Sequence, residues 1–158
     1  MFLLNNFTAI LPKIAHISSH VVPSLIQNKI ITLAINNVLS EPLIDGELDF
    51  LEEKLLEIKV TDLNKSWVFT VVDEQIVVNS TVTTSDVVIS GEFNSFVLMA
   101  SQTIDPDTLF FKRKLLIEGD VDLGLAVKNL LDRVELSQLP SLLSKPIVGY
   151  ANTLNHSA

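Results

Sequence analysis

Residues 105–132 read DPDTLFFKRKLLIEGDVDLGLAVKNLLD, and the fold turns on how this stretch is divided. Lys114 to Glu118 suits a strand. On a period of two, Arg113, Leu115 and Ile117 share one face while Lys112, Lys114 and Glu118 share the other. Past Gly119 the period changes to that of a helix: Leu123, Val127, Leu130, Leu131 and Val134 fall on one side. Asp120 suits the N-cap, and Asp122 in the first turn and Arg133 near the end both complement the macrodipole. Gly124, beside the apolar face, admits the close approach of a neighbour, and Leu125 points the other way. Strand, glycine and helix follow one another without a linker.

Upstream of that strand, Phe110 and Phe111 stand directly against Lys112, Arg113 and Lys114. The plain reading is an aromatic plug in the core beside a solvated, basic strand end. The functional reading is a mouth, where an apolar chain passes the rings and a cationic collar holds an anionic head group. Lys and Arg can do this with their stems lying along greasy surface.

Working outward, the chain before residue 105 divides into a helical and a β part. Residues 5–40 read as helix, broken at Pro23. Phe7, Ile10, Leu11, Ile14 and Ile17 form an apolar stripe in the first segment. In the second, Leu25, Ile26, Ile30, Ile31, Leu33, Ala34, Ile35 and Val38 cover over half the circumference, so this helix is sandwiched in a core, lies in an interface or touches membrane. Pro42 and Asp45-Gly46 punctuate the chain. LLEIKVTDL, SWVFTVVD and QIVVNSTV then predict strands, with Asp73-Glu74 as a hairpin tip, and DVVISG predicts another. FNSFVLMASQ predicts a short helix. After residue 132, Pro140 and Pro146 flank a last amphipathic segment ending near Leu154. The expected architecture is α+β, with helices gathered on a mostly antiparallel sheet. Two parts are expected: an N-terminal amphipathic extension over residues 1–41 and a main domain over 42–158.

Composition narrows the function classes. Of the 158 residues, 47% are hydrophobic and 19% charged, greasier than an ordinary domain with a quarter of its residues charged. That surplus implies a large core, a self-association surface or a cavity for an apolar ligand. A net charge of −8 argues against a nucleic-acid binder, which needs a basic footprint. With no Cys, disulfides, thiolate nucleophiles and Cys-based metal sites are excluded. The longest apolar run, Phe96 to Ala100, is far short of the roughly 20 residues needed to span a bilayer. MFLLNNF is a poor signal peptide, so the expected address is the cytoplasm.

Chemistry-bearing patterns are sparse. His16 and His20 share a helical face at metal-ligand spacing but lack a third ligand, His156 lying near the far terminus. Asp45, Glu47, Asp49, Glu52 and Glu53 read as a solvated acidic loop without the order of a calcium site. No nucleophile elbow, phosphate-binding loop or dinucleotide fingerprint occurs. No catalytic residue, metal or cofactor is assigned, and the reading shifts toward binding and carrying.

Three stretches, DGELDFLE (45–52), the strand holding Trp67, and above all residues 105–132, resemble bacterial lipid-carrier domains of the sterol carrier protein type 2 class. More narrowly, they resemble the accessory factors of ubiquinone biosynthesis within that class. The resemblance spans Asp45 to Pro140 well, and the N-terminal helices match in kind. It implies a five-stranded sheet backed by helices around an apolar tunnel that holds lipid. It also implies a role in oxygen-independent ubiquinone synthesis, with polyprenylated intermediates presented to hydroxylating partners. Those partners are peptidase-like iron–sulfur proteins, which places the metal chemistry outside this chain.

On that basis the expected lipid-binding residues are Phe93, Phe96, Phe110, Phe111, Leu123, Val127, Leu130 and Leu131. The expected head-group residues are Lys112, Arg113 and Lys114. The expected ligand is a polyprenylated quinone intermediate or a phospholipid, with membrane-surface contact through the N-terminal helices. Homodimerisation stays open, as do two other functions: a scaffold without cargo, and an enzyme using His16 and His20.

Overall fold

The computed structural model describes residues 23–79, 83–133 and 141–155. The first predicted helix and the three histidines lie outside them. Among the described residues the chain begins with α1 (Ser24–Val38), α2 (Ser40–Ile44) and a 3-10 turn at Asp49–Leu51. β1 (Leu56–Val60), β2 (Lys65–Val72), β3 (Gln75–Asn79) and β4 (Val87–Gly91) follow. Then come α3 (Phe93–Ala100), α4 (Pro106–Phe111), β5 (Leu115–Gly119), α5 (Val121–Arg133) and α6 (Ser141–Asn155).

The five strands form one sheet in the order β3-β2-β1-β4-β5. Only the central β1–β4 pair is parallel; the other three pairings are antiparallel. The predicted α+β class holds, and so does the sheet. Asp73 and Glu74 form the β2–β3 hairpin tip with φ of 50° and 58°. That is the left-handed pair a two-residue turn demands, reached here without glycine.

Register puts Leu56, Ile58, Phe69, Val71, Ile76, Val78, Val87, Ile89 and Ile117 on one face. Against it pack Val38 from α1, Leu43 from α2 and Leu123, Val127 and Leu130 from α5. Alternation supplies the sheet side of this core and the helical period supplies the other. α5 comes close because Gly124 has no side chain: a Cβ there would lie 2.5 Å from Ile117 Cγ2. Asp120 Oδ1 accepts from the Leu123 amide at 3.0 Å, which secures the helix start as the sequence implies.

α1 starts immediately after Pro23 and packs on the edge strand β3. Its Asn36 amide closes the strand's free edge. Asn36 Nδ2 donates to the Ile76 carbonyl at 2.7 Å, and the Ile76 amide donates to Asn36 Oδ1 at 2.8 Å. The other side of α1 leaves Leu25, Ile26, Ile30 and Leu33 exposed. α6 runs through Pro146 instead of ending there, and joins α3 through the Tyr150 hydroxyl, which donates to Asn94 Oδ1 at 2.7 Å.

Two sequence expectations change. The strand expected over Lys114 to Glu118 runs from Leu115 to Gly119, which leaves Lys114 outside it, and Arg113 sits in a turn with φ of 56° instead of sharing a strand face with Leu115. The Phe pair does precede that strand, but at the end of a helix, α4, that the periodicity does not announce.

Candidate functional site

α4 is only six residues long and is made by its cap. The Asp105 carboxylate accepts from the Thr108 amide at 2.8 Å and from the Thr108 hydroxyl at 2.6 Å, and Pro106 occupies the first turn. Those bonds, the hydroxyl's first, hold the Asp105 carboxyl below its ordinary value. At the other end the Lys112 amide donates to the Thr108 carbonyl, Arg113 to Phe110, and Lys114 to Leu109. Arg113 thus takes the left-handed position that closes a helix and is usually given to glycine.

Successive helical residues point about 100° apart, so α4 parts its two rings. Phe110 turns inward, between the sheet–helix core and a second cluster of Met99, Leu109 and Leu115. Phe111 is 90% exposed. Phe96 of α3 and Leu131 of α5 join Phe110 at that junction. Leu123, Val127 and Leu130 are buried against the sheet. Six of the eight expected lipid-binding residues therefore meet in one continuous apolar zone. Phe93 lies apart from it, between α3 and α6, its ring centroid 6.4 Å from that of Tyr150.

Lys112, Arg113 and Lys114 are all exposed and form no ion pair among the described residues. Arg113 and Lys114 line a cavity of about 280 Å³ with Thr61, Ser90, Gly91, Glu92, Ser95 and Leu116. None of the eight apolar residues borders it. Ser90 and Leu116 pair across β4 and β5 and alternate with Ile89 and Leu115, so the cavity opens on the sheet face opposite the core. Its lining suits a small charged group better than a hydrocarbon tail.

The sequence pointed to the two cations of this cavity and missed the rest. Ser90, Ser95, Thr61 and Glu92 carry no spacing signal, because strand pairing and the β4–α3 junction bring them together. For α4 a signal did exist: Asp-Pro-Asp-Thr is a capped helix start with proline at its first position. Among the described residues, no group of three His, Asp or Glu side chains could hold a metal ion. Nor is any described helix long and apolar enough to cross a membrane.

The family model of the SCP-2 sterol transfer family matches residues 34–132, from within α1 to the last turn of α5. The chain belongs to this family. Curated relatives are 36% identical to it over 141 residues, 89% of this chain and 80% of theirs. These are the ubiquinone biosynthesis accessory factors UbiT of Escherichia coli strain K12 and of strain O157:H7. Among solved structures, a UbiJ-SCP2 ubiquinone synthesis protein superposes with a TM-score of 0.57 at 15% identity, covering 69% of this chain and 91% of that one. The sterol carrier protein domain 2 of Helicoverpa armigera gives 0.52 at 17% identity, covering 65% and 83%. Both share the SCP-2 fold, which confirms the architecture expected from residues 105–132.

Proposed function

We propose that this protein is a lipid-binding accessory factor of ubiquinone biosynthesis. In this reading it holds a polyprenylated quinone intermediate and presents it to hydroxylating enzymes in the oxygen-independent route. The observation that carries it is the 36% identity to UbiT across 89% of the chain, which includes the whole strand–glycine–helix unit. The apolar zone supports it physically. At about 0.8 kcal/mol per buried CH₂, a prenyl tail entering between α3, α4 and α5 gains affinity without any specific polar contact.

Of the expected tail-binding residues, this reading keeps the six that meet in the zone, Phe96, Phe110, Leu123, Val127, Leu130 and Leu131, and leaves out Phe93 and Phe111, while Lys112, Arg113 and Lys114 serve an anionic head group. The partners are peptidase-like iron–sulfur hydroxylation proteins, and the protein itself supplies no catalytic residue. The test is solvent extraction of freshly purified protein followed by mass spectrometry. Prenylated or acylated lipid in stoichiometric amount is expected, and its absence from repeated preparations overturns the reading.

A second reading, a scaffold without cargo, draws on the exposed stripe Leu25, Ile26, Ile30 and Leu33 of α1. A partner protein covering that stripe would bury it without using the apolar zone. Lipid-free protein that still captures the hydroxylating enzymes supports this alternative.

A further inference from the structure

We propose that the α4–β5 turn docks this protein on an anionic lipid bilayer, Phe111 entering the interface while Arg113, Lys114, Ser90 and Ser95 hold a lipid phosphate. Two separate observations meet at this turn. Phe111 is the most exposed large apolar side chain among the described residues, at 90%, and three consecutive cations follow it. An aromatic ring beside a short basic run matches the two layers of a membrane surface: acyl boundary for the ring, anionic head groups for the charges.

The second observation is the cavity bordered by two of those cations. Ser90 and Ser95 are only 7% and 5% exposed. Both line the cavity alongside Thr61, Arg113 and Lys114, and what little surface they keep faces that space, where a serine hydroxyl can donate to an anion. Donors and positive charge around about 280 Å³ fit a phosphate group. The helix N-terminus nearby is already engaged, because the Phe93 amide donates to Asp62 Oδ1 at 2.8 Å. Glu92, the one carboxylate of the lining, disfavours a free phosphate dianion. It favours a singly charged phosphodiester with a donor beyond the phosphate, as in a glycerol or ethanolamine head group.

The docking deepens the carrier reading and rests on it, since a carrier has to meet the bilayer to collect its cargo. The experiment is flotation of the full chain with vesicles of phosphatidylcholine alone, and of equal parts phosphatidylcholine and phosphatidylglycerol. Binding to the anionic vesicles is expected. Arg113→Gln/Lys114→Gln should weaken it by about fivefold for each charge removed, and Phe111→Ser by about tenfold. Lys29→Gln/Lys54→Gln removes the same charge at the other edge and the other end of the sheet and should leave binding unchanged.

Phe111→Trp should shift its emission to the blue on the anionic vesicles. Equal binding to both vesicle types, or equal weakening by the Lys29/Lys54 pair, overturns the proposal. So does loss with Arg113→Gln/Lys114→Gln but not with Phe111→Ser, together with displacement by inorganic phosphate; that result leaves a site for a soluble anion. Extraction of lipid from the same preparations separates the two readings. Protein that floats but carries no lipid sinks the carrier and keeps the docking, and lipid-loaded protein that never floats does the reverse.

Discussion

Two glycines show how differently the same residue type is used. Gly119 ends β5 with φ of 102°, and a Cβ there would sit 2.3 Å from the Asp86 carbonyl oxygen. That oxygen also accepts the Asp120 amide, so neither partner can move aside cheaply. Gly119→Ala should therefore cost at least about 2 kcal/mol. Gly149 lies in α6, where an added Cβ would meet nothing within 4 Å, and Gly149→Ala should gain about 0.5–1 kcal/mol. Urea midpoints of the two variants, moving in opposite directions from the parent, check both. The glycine of the strand–glycine–helix unit was conspicuous in the sequence. The reason only glycine fits there, a carbonyl just ahead of the neighbouring strand, was not.

At the scale of an element, α4 rests on one carboxylate. Asp105 titrates below its ordinary value because its charged form receives the Thr108 hydroxyl and amide. With the folded value depressed, the cap contributes in full above the ordinary carboxylate range and is lost as pH falls through the lowered folded value. Acid titration followed at the Thr108 amide should show α4 loosening in that window. Asp105→Asn should remove most of this acid sensitivity at the amide. The element was legible in principle, since Asp105-Pro106 is a start signal, but six residues are too few for a helical stripe to declare itself. The separation of Phe110 from Phe111 follows directly from that short helix, and it redistributes the site. The sequence reading placed both rings at one mouth, whereas the helix commits one to the interior and one to solvent.

Over the whole molecule, the sheet and its principal helices were written plainly in alternating and helical periods. Those periods record which residues are buried, and burial is what a sheet packed on one face by helices mostly consists of. The polar cavity was not legible, because Thr61, Ser90 and Ser95 owe their meeting to strand order, which no local pattern encodes. The cover over the β3 edge was equally silent: Asn36 and Ile76 are forty residues apart. Asn36→Ala should cost about 1–3 kcal/mol through the unpaired Ile76 groups. It should also open that edge to other chains, as self-association rising with concentration on size-exclusion chromatography. A variant that stays monomeric at every concentration would show that α1 shields the edge without its amide.

The parallel neighbours at the centre of the sheet set an order of events for a chain emerging from the ribosome. β1, β2 and β3 can zip together as a meander of sequence neighbours. The inner flank of β1 waits for β4, and β4 in turn waits for β5 and the helix behind it. Until then a greasy half-sheet stands open, so the nascent polypeptide depends on speed of completion, or on a chaperone, to avoid sticking to its neighbours.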